Sequence, residues 1–385
     1  MNVEEILAKL VSFPVLGGQS NIPIANWIES YLSEHGIEFT RVPNDDFTKW
    51  SIHCRIGPAV DGGVVLSGHM DVVPVEGQDW QTDPFKLIDK NDGKFYARGS
   101  CDMKGFIACC LAVLPEMVET TLSQPIYFAF SYDEEIGCLA GTELAEHIMS
   151  HYEERPKYAL IGEPSMLQPI TGQKGIVIYK TKVNGSAGHS SRIMQEVSAI
   201  HEASRLVIWL ENKMKSLIEQ GHVDNRFNPP HTTIHCGKFA QSGIAPNVIS
   251  DSAEFYWDVR VIPKDRSQEI LADFLAYCES LQKENRERYP EFNITTIEDH
   301  PDVVPLDTPN DSEAVDFIKS ISPRSDLGTV SYAAEAGQFS EAGFLTVICG
   351  PGDIAQAHRA NEFISREQLN GGVEMLRRLI NISAQ

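Results

Sequence analysis

The residues of this chain that could do chemistry fall just after short apolar runs. Gly63–Ser67 leads into Gly68-His69-Met70-Asp71, and Ile126–Phe130 leads into Ser131-Tyr132-Asp133-Glu134-Glu135. Tyr158–Ile161 leads into Gly162-Glu163-Pro164, and Leu345–Cys349 into Gly350-Pro351-Gly352, with His358 shortly beyond. Asp102 sits in Arg98-Gly99-Ser100-Cys101-Asp102-Met103-Lys104-Gly105, immediately ahead of a helical pattern. Singly, each motif has an ordinary explanation: a surface His/Asp pair, an acid offsetting a helix dipole, a solvated Glu-Glu loop, a turn acid, a loop histidine. Together they bring two imidazoles and several carboxylates to one rim, because ligands of an open α/β sheet gather beyond the carboxyl ends of its strands. Carboxylates so crowded resist ionisation without a strong cation, and a bound metal supplies one. Mixed His and carboxylate donors suit Zn2+, with Co2+ or Mn2+ as alternatives. The His69-x-Asp71 spacing sends both side chains off one side of a strand end. That suits an imidazole on a metal whose other nitrogen is held by a carboxylate. Adjacent Glu134 and Glu135 allow a division of labour, one acid on the metal and the other free as a general base toward water.

The elements that must position these residues read as two kinds of domain. Val3, Ile6, Leu7, Leu10 and Val11 follow helical spacing, as do Ile24, Trp27, Ile28, Tyr31 and Leu32 up to Gly36. Another helix is expected over Lys104–Val118. The apolar strands lack polar alternation, which predicts a buried sheet with helices on both faces. After Gly175 the texture changes. Ile176–Val183 alternates, a helix follows near Val197–Ile218, and strands at Thr232–Gln241 and Asp251–Ile262 precede a helix near Gln268–Glu284 and a strand at Asn293–Glu298. This β-α-β-β-α-β order predicts a ferredoxin-like layer. A helix near Ser312–Ile321, the strand Leu345–Cys349 and a last helix opened by a Ser365/Gln368 capping box complete the first pattern. The reading is an α/β domain over 1–174 and 298–385, split by an inserted α+β domain over 175–297.

The 385 residues carry 32 basic and 54 acidic side chains, a net charge of −22. That balance disfavours nucleic acid and anionic lipid as partners. No run of about 18 apolar residues appears, and Met1-Asn2-Val3-Glu4-Glu5 lacks the basic start of a signal peptide. The eight cysteines form no CxxC pair, so buried thiols in a reducing, cytoplasmic setting are expected. A nucleotide-binding α/β protein would show a GxGxxG or GxxxxGK[ST] after its first strand, and none is present.

Four runs carry a resemblance: Ser67-Gly68-His69-Met70-Asp71-Val72-Val73-Pro74, Arg98 through Gly105, Asp133-Glu134-Glu135-Ile136-Gly137, and Gly162-Glu163-Pro164. In combination they resemble the ArgE/DapE/aminoacylase family of di-zinc amidohydrolases, over essentially the whole chain. The resemblance implies a zinc-peptidase-like catalytic domain of mixed sheet and flanking helices, with the inserted domain as lid and dimerisation module of a homodimer. By the same resemblance, His69 and Glu163 bind one zinc, Glu135 and His358 bind the other, and Asp102 bridges them. Glu134 is then the general base and Asp71 orients His69, and a non-proline cis peptide is expected at Asp102–Met103.

The stretches Trp80–Phe85, Gly172–Gly175, Glu335–Phe339 and Cys349–His358 are most similar to the branch that removes the acetyl group of N2-acetyl-L-ornithine in arginine biosynthesis. Desuccinylases of succinyl-diaminopimelate, aminoacylases and dipeptidases share the general pattern. A non-catalytic binding homologue would have no need of an unligated Glu beside a ligand. In the inserted domain, the resemblance implies that His189 of Gly185-Ser186-Ala187-Gly188-His189-Ser190 reaches a partner subunit's site and steadies the oxyanion. It likewise makes Asn247 a substrate contact and Arg260 a clamp on a substrate carboxylate. Pro246 departs from the family pattern, which has a basic or other non-proline residue before the Asn. Glu335, in a Gly/Ala-rich loop, is a further candidate for pairing with the side-chain ammonium of ornithine.

Overall fold

The strands that end in the candidate residues lie side by side. A computed structural model describing residues 1–385 places strand Gly62–His69 between Ile126–Ser131 and Pro156–Pro164, parallel to both. Leu345–Gly350 runs parallel to Pro156–Pro164 on its other side. Antiparallel strands Phe39–Pro43 and Trp50–Ile56 extend the sheet beyond Ile126–Ser131, and Ile170–Gln173 pairs antiparallel with Leu345–Gly350, so the sheet is mixed.

Alternate residues show why its strands read as unbroken apolar runs. Val64, Leu66, Phe128, Phe130, Leu160 and Val347 join one apolar cluster with helices Val3–Val11, Ile22–Glu34, Lys104–Glu119, Glu313–Ile321 and Arg366–Ser383. Their neighbours Val65, Tyr127, Ile161 and Ile348 are equally buried and point the other way. Helices Gly141–His151 and Ala336–Glu341 pack against one another and against strands of this sheet. Burial on both faces removes the polar alternation. Each fully buried aliphatic or aromatic side chain contributes about 1.5–3 kcal/mol, and truncating one such as Leu66 to Ala would cost roughly 2–5 kcal/mol.

Local signals set the helix ends. Asn2 and Glu5 form a reciprocal capping box at the first helix. At the last, Ser365 accepts from the Gln368 backbone, but the Gln368 side chain does not return the bond. Its Oε1 accepts instead from Gly352 N at 3.1 Å, fixing the loop that leads to His358.

The chain divides into two units, Met1–Gly172 with Leu306–Thr329 and Ala334–Gln385, and Gln173–Pro305 with Val330–Ala333. In the second, the antiparallel strands are ordered Thr233–Ser242, Ser252–Arg260, Ile176–Asn184, Asn293–Val303. Val177, Tyr179, Val183, Phe255, Trp257 and Val259 pack beneath helices Ala199–Glu219 and Ser267–Arg286, while the alternate residues stay partly exposed. The last strand runs to Val303 rather than stopping at Glu298, because two irregularities in its pairing break the alternation that would have revealed it. No helix is long and apolar enough to cross a membrane.

Candidate metal centre

The parallel strands deliver their carboxyl ends to one place. His69 is the last residue of its strand and 1% exposed. Its Nε2 lies 3.0 Å from Asp102 Oδ1, 3.8 Å from Glu163 Oε1 and 3.9 Å from Glu134 Oε2. The second oxygen of Asp102, Oδ2, is 3.4 Å from His358 Nε2, which is in turn 2.9 Å from Glu135 Oε2. Two donor groups result, His69/Asp102/Glu163 and Asp102/Glu135/His358, each with its ligating atoms within 4.8 Å of one another. Asp102 belongs to both.

Several backbone devices hold this geometry. Asp102 does not cap the helix that follows, whose N-cap is Met103, and the Asp102–Met103 peptide is cis. Gly99 has φ +79°, and a Cβ there would meet Val72 Cγ1 at 2.8 Å, so the turn into Asp102 requires glycine. A Cβ on Gly162 would lie 2.1 Å from the Phe106 ring, so only glycine lets helix Lys104–Glu119 pack against the strand that carries Glu163.

Asp71 lies beside His69 with both its main chain and its carboxylate. The close acceptor for His69 Nδ1 is the main-chain oxygen of Asp71, at 3.0 Å, whereas the nearest carboxylate oxygen is 3.6 Å away, too far for a hydrogen bond. The carboxylate instead accepts from the backbone N–H groups of Glu134 and Glu135, at 3.2 and 3.1 Å. It therefore fixes the two acids while standing next to His69. Asp133 anchors the same turn from the other side, accepting from Gly18 N at 2.8 Å and pairing with Lys49.

Two residues that the motif reading passed over organise the loop of Asp102. Arg98 and Glu362 form an ion pair with both side chains fully buried, Nη1 to Oε2 at 2.7 Å. Glu362 also accepts from the backbone of Gly99, Cys101 and Asp102 at 3.0, 2.8 and 3.1 Å. The signal lay in the motifs themselves: Arg98 opens the run around Asp102, and Glu362 follows His358 by one helical turn's worth of chain.

The electrostatics suit cations. Burial pushes the Glu134 and Glu163 carboxyls well above the usual range, neighbouring carboxylates adding to the effect and His69 opposing it. Burial, with Asp102 adding, lifts Glu135 to about 7. Burial also raises Asp102, but hydrogen bonds from His358 and His69 outweigh it and hold its carboxyl below the usual range. Hydrogen bonds to Asp102 and Glu135 lift His358 to about 10. On its own the cluster relieves its charge by taking up protons, and divalent cations would replace them. Three carboxylates and two imidazoles arranged around a shared Asp are a fitting donor set for two such ions.

Glu335 is 2% exposed and accepts from Ser131 Oγ at 2.9 Å, while its Oε1 has no hydrogen-bond partner. Burial lifts its carboxyl to about 7. The remaining candidates lie in the second unit. Strand Gly188–His189 pairs with Val248–Ile249, and Ser190 N donates to Asn247 O at 3.1 Å, so His189 and Asn247 share one ribbon. Arg260 ends the strand that begins at Ser252, beside Asp258 at 3.6 Å. At about 3.4 Å per residue it stands roughly 27 Å along that strand from the end nearest the ribbon.

Residues 65–382 match the description of peptidase family M20/M25/M40. The chain belongs to that family. An acetylornithine deacetylase of Pasteurella multocida is 31% identical over 368 residues, covering 94% of this chain and 91% of that protein. A tripeptidase from Staphylococcus aureus superposes with a TM-score of 0.76 at 18% identity, covering 100% of this chain and 98% of the other. The YXEP protein of Bacillus subtilis, described as a dinuclear metal binding peptidase from the M20 family, superposes with a TM-score of 0.62 at 14% identity, covering 99% and 97%. As a member of the M20/M25/M40 family, the protein is a metal-dependent hydrolase of linear amides.

Proposed function

We propose that the protein is a di-zinc acetylornithine deacetylase, which hydrolyses N2-acetyl-L-ornithine to L-ornithine and acetate. The observation that carries the chemistry is the posture of Asp102, one oxygen toward His69 and the other toward His358. His69, Glu163 and Asp102 would hold one cation, and Asp102, Glu135 and His358 the other. When bound, such ions polarise an amide carbonyl and make a water a competent nucleophile near neutral pH. Glu134 stands outside both donor groups yet within 3.9 Å of His69 Nε2. It takes the proton of the attacking water and returns it to the leaving amine as the C–N bond breaks.

The substrate assignment rests on the curated relatives, named acetylornithine deacetylase at about one-third identity over nearly the whole chain. Glu335 is assigned to the ornithine ammonium, for which a buried oxygen without a partner is a suitable acceptor. His189 and Asn247 are assigned to the acetyl end and Arg260 to the substrate carboxylate. Because His189 and Asn247 belong to the two-stranded ribbon and Arg260 closes the far end of a strand in the separate four-stranded sheet, one small substrate would meet both sets if they came from different copies. That supports a homodimer joined through the second unit, with His189 acting across it. Eight free cysteines, none paired, are consistent with a cytoplasmic setting.

Release of ornithine from acetylornithine, abolished by a chelator and restored by Zn2+ or Co2+, tests this reading. Turnover of succinyl-diaminopimelate or a dipeptide with none of acetylornithine would overturn the substrate, and chelator-resistant turnover would overturn the metals.

A further inference from the structure

Outside the candidate centre, three imidazoles meet where strand Trp50–Ile56 faces helix Gly141–His151. His147 and His151 are one turn apart and share a helix face. His53, fully buried, rises from the strand beneath them. Their nitrogens lie within 4.8 Å of one another, and the ring centroids are 5.0, 5.0 and 5.3 Å apart.

The outer nitrogens are held by hydroxyls. His53 Nδ1 is 2.9 Å from the Tyr152 hydroxyl, which turns Nε2 toward His147 Nδ1 at 3.0 Å. His151 Nε2 is 3.3 Å from Thr40 Oγ1, leaving its Nδ1 unused in that contact. A hydrogen-bonded outer nitrogen that fixes tautomer and ring orientation is how metal-binding histidines are usually supported.

We propose that His53, His147 and His151 form a further cation site, taking a divalent transition ion such as Zn2+ through three imidazole nitrogens. Such ions prefer nitrogen donors at about 2.0–2.1 Å, and a three-histidine site leaves a fourth position for water. His151 is the exposed member of the three, so the group is reachable from solvent. The ion ties the antiparallel side of the sheet to the helix that follows the Glu134-Glu135 loop, and binding stabilises the folded state in proportion to the ion's concentration over its dissociation constant.

The test is equilibrium dialysis of the full chain against Zn2+, with bound metal measured by atomic emission and unfolding followed in the same samples. At saturating Zn2+, His147→Gln/His151→Gln should hold one ion fewer per chain than the unaltered protein, with the same circular dichroism. A His69→Ala/His358→Ala variant should still lose one ion when those two changes are added. Tyr152→Phe, which removes only the hydroxyl that holds His53 Nδ1, should weaken this ion about 10–100-fold. Exposed His151→Gln alone, which leaves the fold intact, should lower the Zn2+-dependent rise in the unfolding midpoint. Equal metal content in the unaltered protein and His147→Gln/His151→Gln overturns the proposal, as does a Zn2+-dependent midpoint shift that His151→Gln leaves unchanged.

Discussion

Replacing Glu362 by Gln isolates the buried ion pair from everything around it, because the two side chains have the same shape. In the native protein the two carboxylate oxygens accept from four donors: Arg98 and Gly99 N on one, Cys101 N and Asp102 N on the other. Glutamine keeps one acceptor and turns the other into a donor. If its amide nitrogen faces the loop, Cys101 N and Asp102 N lose their acceptor; if it faces Arg98, Gly99 N does, and the guanidinium, which keeps Arg359 O at 3.3 Å, meets an N–H group in place of a carboxylate oxygen. Either way two buried donors lose a bond or meet another donor, at about 1–3 kcal/mol each. This agrees with the roughly 3–5 kcal/mol lost when one partner of a buried ion pair is removed. The midpoint of urea unfolding should fall accordingly. Since Asp102 N is among the four donors, metal affinity should fall with it, by about 10–100-fold as for other groups that support a ligand. A Glu362→Gln protein within about 1 kcal/mol of the native stability would refute the reasoning, because such a loss at two buried donors cannot cost so little.

Three further outcomes follow from the same structure. Glu134→Gln should keep its metal content and lower kcat about 10²–10⁴-fold; near-normal turnover would remove Glu134 from proton transfer. Glu335→Gln should raise KM for acetylornithine roughly 10–100-fold, as expected for a charged hydrogen bond, and that for an uncharged acetyl-amino acid much less. Equal effects on both substrates would rule out the ammonium contact. Because the folded pKa of His53 is lowered to about 3 from 6.5, the native state binds fewer protons than the unfolded chain between those values. Its contribution to stability is complete above pH 6.5 and is lost as the pH falls toward 3. In chelator, the urea midpoint should fall less steeply over that window in His53→Gln than in the unaltered protein, and parallel curves would contradict the assignment.

The sheet and the centre were readable in the chain to different depths. The parallel strands announced themselves because burial on both faces makes them uninterrupted apolar runs, and the second unit did so through its alternation. Strand Phe39–Pro43, mostly half-exposed, has no such pattern, and Ile170–Gln173 is too short to show one. Donor residues stood out by type and position at strand ends. The contacts that orient them did not, since a sequence does not say whether Asp71 reaches His69 with its carboxylate or its main chain. The place of Glu362 near His358 was visible, but its role was not, because its four donors arise from how the Gly99–Asp102 loop folds around it.

Strand Leu345–Gly350 slots between Pro156–Pro164 and Ile170–Gln173, both of which leave the ribosome more than a hundred residues earlier. Until it is made, the edges of Pro156–Pro164 and Ile170–Gln173 that it pairs with have no strand between them. A message truncated after the second unit would encode a chain with that gap permanently open and with neither His358 nor Glu362 to close the rim. Such a product is a template for strand capture by other chains. Quality control would meet it as an aggregation hazard, long before its lack of hydrolase activity mattered.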